Sequence, residues 1–142
     1  MYDDLCQSHS VVLELSSFML EDVRRFRANV STVLNLAEDH VDRYDSFDTY
    51  AMTKRSIVRH ARPGDVFVRN LDDEYIRAWT LPHLELRTVA QSDRRADAYL
   101  DGDLLRVGDA SVPASRLLLR GRHHHQNVLF AVCMAAALGS KP

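Results

Sequence analysis

Three apolar runs in this chain lack the alternation of a strand with one wet face. VVLEL spans 11–15, TVLNL spans 32–36 and VFVRN spans 66–70. A strand that is apolar at consecutive positions is buried on both sides, and such strands belong to parallel sheets covered by helices. The spacing agrees. Sixteen residues separate the first two runs, which leaves room for a crossover helix. Between the second and third, Ser46 to Ala61 has a helical rhythm with Ser46 as N-cap. The turn Pro63-Gly64-Asp65 then introduces the third run. The order β-α-β-α-β predicts an α/β fold, with a partial Rossmann-like, mostly parallel sheet and flanking helices.

The rhythm changes after residue 82. LELRTVA, AYLDGDLLRVG and ASVPASRLLL alternate roughly in and out, and Asp101-Gly102-Asp103 is a hairpin turn. We read a small antiparallel β-meander over about 84–119. A helix follows over about 124–138, apolar nearly all round and stopped by Gly139. Such a helix is expected to be buried or packed on both sides. At 142 residues the chain has the length of one domain. Its net charge of −2 gives no electrostatic footprint for nucleic acid or an acidic membrane surface. No run of eighteen apolar residues occurs, and MYDDLCQSHS has no apolar stretch of the signal-peptide kind. Cys6 and Cys133 form neither a disulfide framework nor a CxxC pair, so two reduced thiols of a cytoplasmic protein are expected.

The first run ends in Glu14, Ser16 and Ser17, where a buried unpaired carboxylate would be costly. Open α/β sheets bind ligands outside the carboxyl ends of their strands. The second run is followed by Glu38, Asp39, His40 and Asp42, and the third by Asp72 and Asp73. These groups would either converge on one acidic crevice or form a solvated rim. Phe47, Tyr50, Ala51 and Lys54 share one face of the helix that starts at Ser46, so Lys54 points inward with its apolar neighbours. A snorkelling lysine is one outcome. The other is a desolvated amine that takes up carbon dioxide to give a carbamate, an anionic oxygen donor. Glu14, His40 and that carbamate would suit a hard divalent cation, magnesium or, with its histidine, manganese.

ELSSFMLED, NLAEDHVDRYDSFDTYAMTKRSI, VRNLDDE and GRHHHQNVLFAVCMAAALG together resemble the central domain of the Mur ligases, in family order over about residues 8–139. The ELSSF form is most like the D-glutamate-adding branch. The resemblance implies an ATP-dependent amide-bond ligase of peptidoglycan synthesis. It would add D-glutamate to UDP-N-acetylmuramoyl-L-alanine through an acyl phosphate, with magnesium at the phosphates. It implies Glu14 and His40 as metal-site residues, Lys54 as the carbamylated lysine, Ser16 as part of the Glu14 pocket motif, and Asn127 beside the adenine. Two positions depart from the family pattern: Met19 stands where glutamine is usual, and His124 where asparagine is usual.

The family's phosphate-binding loop, GxxxxGK[ST], is absent, since none of the five glycines forms it. The resemblance therefore implies that residues 1–142 are the latter part of a central, ATP-binding domain. They would lack the P-loop, the N-terminal UDP-binding domain and the C-terminal domain, and would be inactive alone. Two other readings stand beside this one. One is a non-catalytic α/β interaction module or decayed gene product; the other is a different Mur or folylpolyglutamate-type ligase. His123-His124-His125 is not expected to chelate one ion, because adjacent helical residues point about 100° apart; the resemblance makes His123 a turn residue. Arg24, Arg25 and Arg27 are expected on a solvated helix face, and Tyr75 and Trp79 are expected to pack a strand–loop junction.

Overall fold

The computed structural model describes residues 10–37 and 43–139. Its elements run α1 (Ser17–Glu21), β1 (Val30–Thr32), α2 (Phe47–Arg55), a single 3₁₀ turn (Ser56–Val58), β2 (Val66–Asn70), α3 (Glu74–Ala78), β3 (Glu85–Ala90), β4 (Ala98–Asp101), β5 (Leu104–Val107), β6 (Ala110–Pro113), a second 3₁₀ turn (Ala114–Arg116) and α4 (Arg122–Ala137). Among the described residues six strands form one sheet, in the spatial order β1-β2-β3-β4-β5-β6. The first four pair in parallel, and β4-β5-β6 pair antiparallel. The expected α/β class and mostly parallel sheet with an antiparallel annex are present.

β2 shows why a continuous apolar run is a two-faced strand. Val66 and Val68 turn to one side, into a core with Val89, Ala98, Leu105, Leu129, Phe130 and Cys133. Phe67 turns to the other, into a core with Val33, Ile76 and Leu81. The first core lies under α4 and the second under α3 and the first 3₁₀ turn. α4 buries Leu129, Phe130 and Cys133 but leaves Asn127 and Ala131 exposed. It therefore packs on one side only, unlike the all-round burial its composition suggests. Burial pushes the Cys133 thiol up to about 11, so it stays protonated near neutral pH. Cys6 lies outside the described residues.

Four expected boundaries move. VVLEL is not a strand: residues 11–15 carry no regular structure, and Val11, Val12 and Leu13 are 70%, 89% and 58% exposed. Among the described residues β1 has a neighbour, β2, on one side only, so nothing there offers this run a hydrogen-bonding partner. The second strand lies at 30–32 rather than 32–36. Beyond Thr32 the backbone bonds to side chains instead of a ladder: Asn70 Nδ2 donates to the Leu34 carbonyl (2.6 Å), and the Leu36 N–H donates to Asp73 (2.7 Å).

The meander begins at β4, because β3 is parallel to both neighbours. β4 overlaps β3 by two residues only, Val89↔Ala98 and Ala90↔Tyr99. A short loop therefore makes a connection that a full parallel pair could make only with a long crossover. Thr88 and Asp97 lock it. The Thr88 N–H and hydroxyl both donate to Asp97 Oδ2 (2.8 and 2.6 Å), and the Asp97 N–H donates to Thr88 Oγ1 (3.0 Å). At the far end, the expected strand character of 117–119 is also absent, and Leu118 is fully exposed.

Candidate functional site

The segment carrying Glu14 and Ser16 runs directly into α1. Ser16 Oγ accepts the Met19 N–H (3.2 Å) and so caps α1. Leu20 buries its side chain, and its carbonyl accepts the Ser56 hydroxyl (3.3 Å), which docks α1 beside the end of α2. Ser46 caps α2 as expected, accepting the Thr49 N–H (3.1 Å). Tyr50 and Ala51 are buried on α2, and Lys54 one turn further on is half-buried on the same face. Its Nζ lies 6.0 Å from the Tyr50 ring centroid.

The structure thus brings the Glu14 segment and the Lys54 helix onto neighbouring, packed elements. Among the described residues the Glu14 carboxylate has neither a hydrogen bond nor an ion pair, and Lys54 forms no ion pair with it. Glu14 is exposed and Lys54 half-buried. His40 lies outside the described residues, as do Glu38, Asp39 and Asp42, and no cluster of three His, Cys, Asp or Glu side chains suited to a metal occurs among the described ones. Were Lys54 carbamylated, it and Glu14 would present oxygen donors, which suit a hard cation.

A cluster that the sequence does not announce joins α1 to residues 43–44. Arg43 donates to both oxygens of Glu21, through Nη2 (2.8 Å) and Nε (3.3 Å), and Tyr44 Oη donates to Glu21 Oε1 (2.7 Å). The Arg43 guanidinium also lies 4.6 Å from the Phe18 ring centroid. Hydrogen bonds from Arg43 and then Tyr44 hold the Glu21 carboxyl below the usual carboxylate range. The cluster fixes the chain just downstream of His40 against the helix just downstream of Glu14. Its sequence signal lies in two of the resembling blocks, the Glu21 of ELSSFMLED and the Arg43-Tyr44 of DHVDRY.

Two carboxylates expected in the crevice have structural partners instead. Asp73 caps α3, accepting the Ile76 N–H (2.9 Å) as well as that of Leu36. Asp72 Oδ2 accepts the Gln91 N–H (2.7 Å) and Gln126 Nε2 (2.9 Å). A cavity of about 400 Å³ opens beside them at the carboxyl ends of β2 and β3, lined by Leu71, Asp72, Arg77, Ser92, Asp93 and Arg95. Asn127 is exposed near the start of α4, and His123 and His124 are exposed in its first turn. Met19 is exposed on α1.

The arginine cluster departs from expectation, since no helix covers residues 24–27. Arg27 forms a two-pronged pair with buried Asp65 (2.7 and 2.6 Å). Trp79 packs as expected, 5.9 Å from Phe67 of β2 between ring centroids, but Tyr75 is exposed and meets Phe47 at the start of α2 (4.7 Å) rather than a strand–loop junction.

A family model described as "Mur ligase middle domain" matches residues 3–135. The chain belongs to the Mur ligase middle-domain family. Among its curated relatives, the UDP-N-acetylmuramoylalanine--D-glutamate ligase of Salinibacter ruber is 38% identical over 140 residues, covering 90% of this chain and 30% of that protein. Its counterpart in Desulfitobacterium hafniense is 36% identical over 145 residues, with 96% and 32% covered. This Mur ligase chain therefore spans about a third of the length of the relatives it matches. A solved structure, MurF from Acinetobacter baumannii, superposes with a TM-score of 0.66 at 22% identity, covering 81% of this chain and 27% of that one. That likeness shows the shared fold.

Proposed function

We propose that this chain is the latter part of the ATP-binding middle domain of a cytoplasmic ligase that adds D-glutamate to UDP-N-acetylmuramoyl-L-alanine. The observation that carries the reading is local. In a Mur ligase middle domain, Glu14 lies on the exposed segment that leads into α1, α1 packs on the helix that carries Lys54, and among the described residues neither side chain has a counter-ion partner. Glu14, His40 and a carbamylated Lys54 would hold magnesium, or manganese, whose charge would screen phosphate oxygens during phosphoryl transfer. Ser16 orients the Glu14 segment by capping α1. Asn127 would meet the adenine. In the complete ligase, ATP converts the substrate carboxylate to an acyl phosphate, and the amine of D-glutamate displaces phosphate to form the amide. The chain has no P-loop to cradle phosphates, so by itself it is expected to bind ATP negligibly and not to turn over.

Lys54→Ala tests the reading. In a chimera where this chain replaces the matching third of the Salinibacter ruber ligase, the variant should lose D-glutamate ligation and regain part of it with added short carboxylic acids. Labelling with ¹³C-bicarbonate should give a carbamate resonance that the variant lacks. Full activity in the alanine variant rules out the carbamate.

A further inference from the structure

One hydrogen-bonded lace crosses the carboxyl ends of the strands. Asn70, only 3% exposed, donates to the Leu34 carbonyl after β1 and accepts the Asp72 N–H (2.9 Å). Asp72 Oδ2 then accepts from the Gln91 backbone just beyond β3 and from the Gln126 side chain on α4. Gln91 Nε2 closes a ring by donating to Gln126 Oε1 (3.3 Å). A carboxylate only accepts, so the Gln126 amide must turn its nitrogen to Asp72 and its oxygen to Gln91. Bonds to an ionised acceptor are the stronger kind, so Asp72 is the node.

We propose that Asp72, with Gln91 and Gln126, positions Asn127. Gln126 precedes Asn127 directly, so anchoring it fixes the first turns of α4 against the ends of β2 and β3. That fixes where the Asn127 amide meets a nucleoside base. The inference rests on the adenine reading of Asn127 given above. Asp72 is exposed and Gln126 half-buried, so removing them leaves both hydrophobic cores intact.

The test uses the chimera with the Salinibacter ruber ligase described above, carrying Asp72→Ala, Asp72→Asn, Gln126→Leu or Asn127→Ala. Amide hydrogen exchange at residues 125–127 should be at least about tenfold faster in Asp72→Ala and Gln126→Leu, with an unchanged unfolding midpoint. Asp72→Asn keeps one carbonyl oxygen able to accept both bonds, and should exchange like the parent. Adenosine at millimolar concentration should shift the Asn127 side-chain amide resonances. That response should be lost in Asn127→Ala, weakened about tenfold in Asp72→Ala and Gln126→Leu, and restored in Asp72→Asn. Unchanged exchange in Asp72→Ala overturns the positioning role. Faster exchange with undiminished adenosine affinity also overturns it, because the lace would then be structural only. A parent with no adenosine response at Asn127 overturns the adenine reading instead, and the function assigned to the lace falls with it.

Discussion

VFVRN and VVLEL look alike as sequence and end in opposite states. β2 has β1 on one side, β3 on the other, and a core on each face, so Val66, Phe67 and Val68 are buried. Among the described residues Val11, Val12 and Leu13 have none of these and are exposed. An apolar run measures how much a segment gains by burial. It does not supply the neighbours that make burial available, because a strand is defined by its partners' backbone groups.

The two runs should respond very differently to truncation. Phe67→Ala removes a fully buried ring from between β2 and Trp79 and is expected to cost about 3–5 kcal/mol, read from urea unfolding. A loss below about 1 kcal/mol would mean that β2 is no better packed than the first run.

Next in size is the anchor just before β2. Arg27 donates twice to Asp65, whose side chain also accepts the Arg62 N–H (2.7 Å). The Arg27 hydrogen bonds, then that of the Arg62 backbone, hold the Asp65 carboxyl below its usual range against the opposing effect of burial. A carboxyl whose folded pKa is depressed adds stability that is present above its unfolded pKa. That stability is lost as pH falls through the folded value. Melting temperature followed from pH 7 into the acid range should therefore fall in the parent, and less steeply in Asp65→Asn. Arg27→Ala should lower it at neutral pH. Parallel curves for parent and Asp65→Asn would remove the ion pair from the account of β2.

Ser46→Ala deletes one cap of α2 and is expected to cost about 1 kcal/mol in the same unfolding assay. The smallest effect belongs to the first run. Val12→Ser at an exposed, unstructured position should lie within about 0.5 kcal/mol of the parent. A larger loss would show that the run has found a partner in solution.

Legibility followed the same division. α2 with its Ser46 cap, β2 at 66–70, the Asp101 hairpin and the last helix could be read because their signals are local: periodicity, capping chemistry and a glycine at positive φ (Gly102, +61°). The strand at 30–32, the parallel partnership of β3 with β4 and the Arg27–Asp65 pair could not. Each depends on a partner far along the chain, and charge or hydropathy at one position says nothing about which partner arrives. At the candidate site, Glu14 and Lys54 were legible as unusual placements, a carboxylate closing an apolar run and an amine on an inward face. Asp72 and Asp73 were legible only as acids. Their use as acceptors for Gln91, Gln126, Leu36 and Ile76 needed the fold.

The sheet's spatial order is also its order along the chain. Each strand docks on the one laid down just before it, so no early strand has to wait for a late one to be inserted between its neighbours. The parallel β1–β2 pair still has to close the connection over residues 33–65, which makes it the long-range, slow step of the sheet. α4 is the exception. It comes last and touches each of β1 to β5, so it acts as the clasp that closes an already assembled surface.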